Sequence, residues 1–115
     1  MAFRMRGKDG NDVWAGGTWR RPDGRLRVFP PSEIEFEVLR RWTSPRTAVE
    51  YPVSMRVSAG DLSVDLEPLM DDQELDTRLT TSTVYWEGAV RVKVGSKEIG
   101  QGYLELTGYW SPLKL

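Results

Sequence analysis

Two carboxylates, Glu87 and Glu105, stand inside alternating segments where a plain strand would carry simpler residues. Each has a tyrosine two positions before it, Tyr85 and Tyr103. A pair of carboxyl groups held among aromatic rings can do acid–base work, because burial raises the pKa of one member while the other stays ionised. The same pair set opposite arginines does no chemistry. Glu87 and Glu105 could bond Arg91, Arg4 or Arg6 across strands, as carboxylates on half-buried sheets commonly do. Both readings stand on the residues alone. Other reactive side chains are scarce. The chain has no cysteine and no histidine, which removes thiolate nucleophiles, Ser-His-Asp triads, zinc hydrolysis and haem ligation by histidine. No EF-hand-type spacing motivates an oxygen-only metal site. No catalytic residue is assigned, no metal ligand is identified and no cofactor is expected.

The elements that carry the two carboxylates follow from period-two alternation. Val84–Val94 places Trp86, Val90, Val92 and Val94 on one side, and Tyr85, Glu87, Arg91 and Lys93 on the other. After a short turn, residues 101–109 put Leu104 and Leu106 on one face and Tyr103, Glu105, Thr107 and Tyr109 on the other. Two such strands share one apolar face. The opposite face is a ligand-facing wall, a contact with another domain, or a solvated surface.

The rest of the chain repeats the pattern. Residues 2–6 alternate, with Phe3 and Met5 opposed to Arg4 and Arg6. Asp9-Gly10 makes a hairpin turn. Residues 13–20 return as a strand in which Gly16-Gly17 marks a bulge or a close backbone approach. Pro22-Asp23-Gly24 turns again, residues 25–29 form a third strand, and Pro30-Pro31 breaks it. Residues 33–39 alternate charge with Ile34, Phe36 and Val38 facing inward. Residues 42–46 read as a loop, residues 51–57 and 62–66 as strands, and residues 68–83 as irregular, with 71–78 a loop or extended edge. Short strands with turn signals and no long helical stripe predict an all-β fold of about seven to nine strands, an antiparallel β-barrel. Glycines inside or at the ends of strands favour a barrel over a sandwich.

At 115 residues this is one domain, 1–115. The net charge of −1 conceals an asymmetry: residues 1–60 hold 11 Lys/Arg and 7 Asp/Glu, residues 61–115 hold 5 and 10. The halves neutralise each other, a balance that disfavours nucleic acid as a partner. No apolar run reaches the ~18–20 residues of a membrane span, and no signal peptide opens the chain. Five tryptophans are a heavy load. Trp86 suits a core, whereas Trp42 and Trp110, beside prolines, suit an interface or a pocket mouth. Gln73 and Glu74 suit either a pocket rim or a structural cap.

The motifs Tyr85-Trp86-Glu87-Gly88-Ala89-Val90 and 102–109 resemble the closing signature of the AttH-like / acyclic carotenoid 1,2-hydratase (hydroxyneurosporene synthase) family, whose members are often described as secreted hydrolases. Residues 1–6, Gly16-Gly17-Thr18, Trp42-Thr43-Ser44-Pro45, Tyr51-Pro52 and Asp72-Gln73-Glu74 agree in order. The resemblance implies a lipocalin-like barrel that corresponds to the C-terminal of two such domains in longer proteins. A histidine-rich interdomain stretch and the aspartate that protonates the alkene in the hydratase branch would then lie upstream of Met1. This chain, on that reading, is an isolated C-terminal domain that binds or helps to enclose an apolar, isoprenoid-like small molecule without being catalytic alone. Trp42, Tyr85, Glu87, Tyr103 and Glu105 are its candidate ligand-binding residues. Its protein partner would be the N-terminal domain of the same parent, or a second copy, through an apolar patch around Trp42, Tyr51 and Trp110. The alternatives are a stand-alone lipocalin-type binding protein, and a complete hydratase or cyclase using Glu87 or Glu105 as acid. The family is often secreted, periplasmic or membrane-associated, which leaves the compartment open.

Overall fold

Alternation in the sequence becomes strand almost everywhere. In the computed structural model, which describes residues 1–112, the chain runs β1 (Ala2–Arg6), β2 (Asp12–Arg20), β3 (Leu26–Phe29), a 3-10 turn at Pro31–Glu33, β4 (Ile34–Thr43), β5 (Glu50–Ala59), β6 (Leu62–Pro68), β7 (Glu74–Asp76), β8 (Val84–Val94) and β9 (Lys97–Leu106). There is no α-helix among the described residues. The strands form a three-stranded antiparallel sheet, β1-β2-β3, and a six-stranded sheet ordered β4-β5-β6-β8-β7 with β9 paired to β8. The fold is all-β and of the lipocalin-like barrel type. Neither ladder closes on itself among the described residues, so the closed barrel read from the glycines is not what these hydrogen bonds make.

The described residues fall into two compact units, 1–37 with 56–64, and 38–55 with 65 onward. In the first, the core is Ala15, Phe29 and Ile34, backed by Phe36, Ala59 and Leu62. Register shows how the three-stranded sheet is faced. Residues directly opposite in antiparallel strands share a face. Ala15 opposes Arg4 and Gly17 opposes both Ala2 and Phe29, so this is the core face. Arg4 lies on it by laying its guanidinium 5.2 Å from the Phe36 ring centre, and Arg27 lies 4.6 Å over Phe29. Their apolar stems cover the core while the charges stay wet. Gly16-Gly17 is not a bulge. The ladder is regular there and slips instead between Met5 and Arg6. The two glycines admit close neighbours: a Cβ on Gly17 would come within 2.9 Å of Ile34 Cδ1.

In the second unit Val49, Tyr51, Val53, Met55, Val84, Trp86, Val90, Leu104 and Leu106 are buried. β5 departs from alternation, since Tyr51 to Met55 are all buried. It lies between β4 and β6 in the sheet order, and it is covered on both faces like the strand of a buried sheet. The polar member of that run, Ser54, is satisfied by donating to Leu66 O at 2.9 Å. Trp42 lies in β4, not in a loop, and stacks on Tyr51 at 6.3 Å.

Candidate functional site

β8 and β9 bring the two carboxylates face to face. Glu87 pairs directly with Glu105, Trp86 with Leu106 and Ala89 with Tyr103, so the face assignment read from alternation holds for these residues. Trp86, Leu104 and Leu106 are buried, whereas Tyr85 and Glu87 are half-buried and Tyr103 and Glu105 exposed. The carboxylate pair therefore belongs to a wet surface. Two of the arginines offered as partners are engaged elsewhere: Arg91 lies 3.5 Å from Glu98 and Arg4 lies 3.7 Å from Asp12. Glu105 Oε1 accepts from Thr107 Oγ1 at 2.7 Å. Lost hydration, and after it the Glu87 carboxylate, raise the Tyr103 phenol above its ordinary pKa. Trp42 is half-buried and stacks on Tyr51.

The most buried charge is one that sequence reasoning treated only as a rim or cap. The Glu74 side chain is fully buried. Its Oε1 accepts from Ser44 Oγ at 2.7 Å and Arg46 Nη2 at 3.4 Å, and its Oε2 from Thr47 Oγ1 at 2.7 Å. Each residue of the Asp71–Glu74 run does one structural task. Asp71 makes two 2.8 Å bonds to Arg40, and its carbonyl accepts from Trp86 Nε1 at 2.7 Å. Asp72 holds Arg46 through two bonds. The Gln73 side chain accepts from Ala89 N and donates to Ala89 O, which also accepts from Leu69 N at 3.1 Å, so the amide completes the ladder at the Ala89 N–H. Gly88 leaves room for that amide, because an added methyl there would overlap it. Gln73 and Glu74 thus cap the fold. The Tyr51 hydroxyl, buried without a hydrogen-bond partner among the described residues, faces the same carboxylate. Burial, then Glu74, push its pKa far above the ordinary phenol value. Among the described residues no group of acidic side chains is arranged to hold a metal ion.

A different face carries exposed apolar side chains. On the side of the three-stranded sheet away from its core, Phe3 opposes Gly16, Met5 opposes Trp14, Val28 opposes Thr18 and Leu26 opposes Arg20. Trp14 is 57% exposed, Val28 67%, Leu26 52% and Met5 38%, and Phe3 meets Trp14 edge-on at 5.0 Å. Of the residues expected in a patch around Trp42, Tyr51 and Trp110, Tyr51 is wholly buried, Trp42 half-buried and Trp110 exposed.

The AttH-like family model matches residues 1–109. The chain belongs to the AttH-like family. The crystal structure of a candidate AttH protein from Nitrosomonas europaea superposes with a TM-score of 0.89 and 46% sequence identity over 94% of this chain. That match covers 34% of the N. europaea chain, so the present chain spans about a third of that AttH protein's length. No curated protein sequence matches the chain.

Proposed function

We propose that this chain is a non-catalytic domain of an AttH-type protein that supplies one wall for a hydrophobic, isoprenoid-like ligand. The observation that carries the reading is the outer face of β1-β2-β3. Phe3, Met5, Trp14, Leu26 and Val28 form an apolar sheet face of which the last four stay exposed among the described residues, whereas sheet faces of this composition are ordinarily covered. Full burial of an aliphatic side chain is worth ~1.5–3 kcal/mol, so four side chains about half exposed offer roughly 3–6 kcal/mol. The ligand's own buried apolar surface adds to this gain, and together they must exceed the cost of association, so this face alone binds weakly. In a chain three times as long, further polypeptide would close the other side of the ligand.

The carboxylate pair favours this reading over a self-contained hydratase. Protonating an alkene needs a carboxylic acid kept dry and neutral, and Glu87 and Glu105 lie on a half-exposed to exposed face. Titrating the protein with retinol while following tryptophan emission tests the proposal. We expect saturable quenching that Trp14→Ser together with Val28→Lys weakens at least tenfold, with circular dichroism unchanged. Quenching that is unaffected by those changes, or absent, overturns it.

A further inference from the structure

A second, chemically different groove opens on the other compact unit. It lies between the loop at residues 81–83 and the segment after β9, is lined by Thr81, Ser82, Thr83, Thr107, Trp110 and Ser111, and has a volume of about 550 Å³. We propose that this groove binds a neutral saccharide, one ring of which lies on the Trp110 indole while its hydroxyl edge meets the serine and threonine side chains. The proposal is independent of the apolar wall and rests on other residues.

The lining selects the ligand class. Among the described residues the groove has no charged side chain, so it offers an anion no cation and a cation no direct counter-ion. An isoprenoid laid in it would strip water from the Ser82, Thr83 and Ser111 hydroxyls and return no hydrogen bond, which is unfavourable. A hydroxyl both donates and accepts, the property that matches a ligand that does the same around its rim. A sugar ring also has an apolar C–H face, and Trp110, exposed beside the hydroxyls, gives that face a flat surface to cover. The volume falls within the ~300–1,000 Å³ of small-molecule sites.

The groove is also built before any ligand arrives. The backbone N–H groups of Thr80, Thr81 and Ser82 all donate to Thr77 O, at 3.0, 2.8 and 3.1 Å. Thr77 Oγ1 donates to Thr83 O at 3.0 Å and lies 2.6 Å from Thr81 Oγ1. This web holds Ser82 at φ +57°, in the left-handed region that a side-chain-bearing residue rarely enters without such support. On the other side Thr107 spends its proton on Glu105 at 2.7 Å, which leaves its lone pairs to accept from a ligand hydroxyl. The Ser82 and Ser111 hydroxyls have no partner among the described residues and remain free to bond one. A pre-formed site gives up little conformational entropy on binding. A single stacked ring in an open groove then implies a Kd on the order of 1–10 mM.

The test is a ¹⁵N–¹H NMR titration of the whole chain with maltose, cellobiose and lactose, with glycerol as the polyol that has no ring to stack. We expect saturable shifts from at least one disaccharide, confined to residues 80–83, 107–111 and the Trp110 indole N–H, and none from glycerol. Trp110→Ala should weaken the affinity at least tenfold. If that change disturbs the spectrum broadly, Thr107→Val and Ser111→Ala provide the same readout, and each should weaken binding severalfold. Linear, unsaturable shifts with all three sugars, equal shifts with glycerol, or shifts centred away from the groove would overturn the proposal. Loss of saccharide shifts in these variants with retinol quenching intact is the expected pattern if the two surfaces are separate.

Discussion

Removing the Glu74 carboxylate should be among the costliest single changes in the second unit. The side chain is fully buried and accepts from two hydroxyls at 2.7 Å, Ser44 Oγ and Thr47 Oγ1. A hydrogen bond to a charged group is worth ~1.5–3 kcal/mol, and the donors would be left facing a void. Arg46 adds less than about 1 kcal/mol, because it is half exposed and also bonds Asp72. Glu74→Ala should therefore lower stability by roughly 3–6 kcal/mol, a large part of the ~5–15 kcal/mol typical of a domain. Near 100 residues that corresponds to a fall of about 12–24 °C in Tm. Glu74→Gln keeps the volume and one acceptor oxygen and should cost about half as much. Asp72→Asn, exposed in the same cluster, should cost less than about 1 kcal/mol. Urea unfolding followed by tryptophan emission gives all three values. A Glu74→Ala loss no larger than that of Asp72→Asn would refute the claim that the buried hydroxyl bonds, and not the exposed ion pairs, hold this region.

Three further outcomes follow from the same geometry. Tyr51 has a folded pKa raised above the unfolded value of 10.0, so the folded chain holds that proton more tightly. Its contribution is complete below pH 10 and lost as pH rises through the folded value, and absorbance at 295 nm should show Tyr51 silent until the protein unfolds. Asp71 and Asp72 have pKa values lowered from 3.8 by Arg40 and Arg46, so their contribution is present above about pH 4 and fades as pH falls further. Urea midpoints should drop over that acid range in the parent and less in Arg40→Gln. Gly88→Ala should displace the Gln73 amide and leave the Ala89 N–H without its partner, while Ala89 C=O keeps the bond from Leu69 N. We expect a loss of about 1–3 kcal/mol, and Gln73→Ala in the same chain should add little to it, because both changes remove the same bond.

Much of this architecture could be read from period two, and what could not has identifiable causes. β8 and the end of β9 were legible because Trp86, Val90, Leu104 and Leu106 are buried and their neighbours are wet, so alternation put Glu87 and Glu105 on one face, while their direct pairing came from the register of the ladder. The strand does not reach Tyr109, since Gly108 takes φ +87° and turns the chain away. β5 was legible as a strand, but not its burial on both faces, because Pro52 and Ser54 among the apolar residues look like a wet side. Phe3 and Met5 alternate with Arg4 and Arg6, and hydropathy alone would send the first pair inward. Arg4 instead takes the core face by lying on Phe36, and Met5 is left in solvent. Glu74 looked like one more acid in a polar run. Its partners lie 30 and 27 positions away in a serine–threonine loop, and only the recurrence of hydroxyls around Arg46 hinted at them. The Trp110 groove depends on a loop fold and a left-handed serine that no periodicity encodes.

The central claim is that an isoprenoid-like ligand lies on the outer face of β1-β2-β3. The most direct measurement is photo-crosslinking of the purified chain with a farnesyl compound bearing a diazirine, followed by mass-spectrometric mapping with excess unlabelled farnesol as competitor. The account predicts competed labels at Met5, Trp14, Leu26 and Val28, the exposed apolar residues of that face. Labels concentrated on Tyr85, Glu87, Tyr103 and Glu105, or labels that farnesol does not displace, would contradict it.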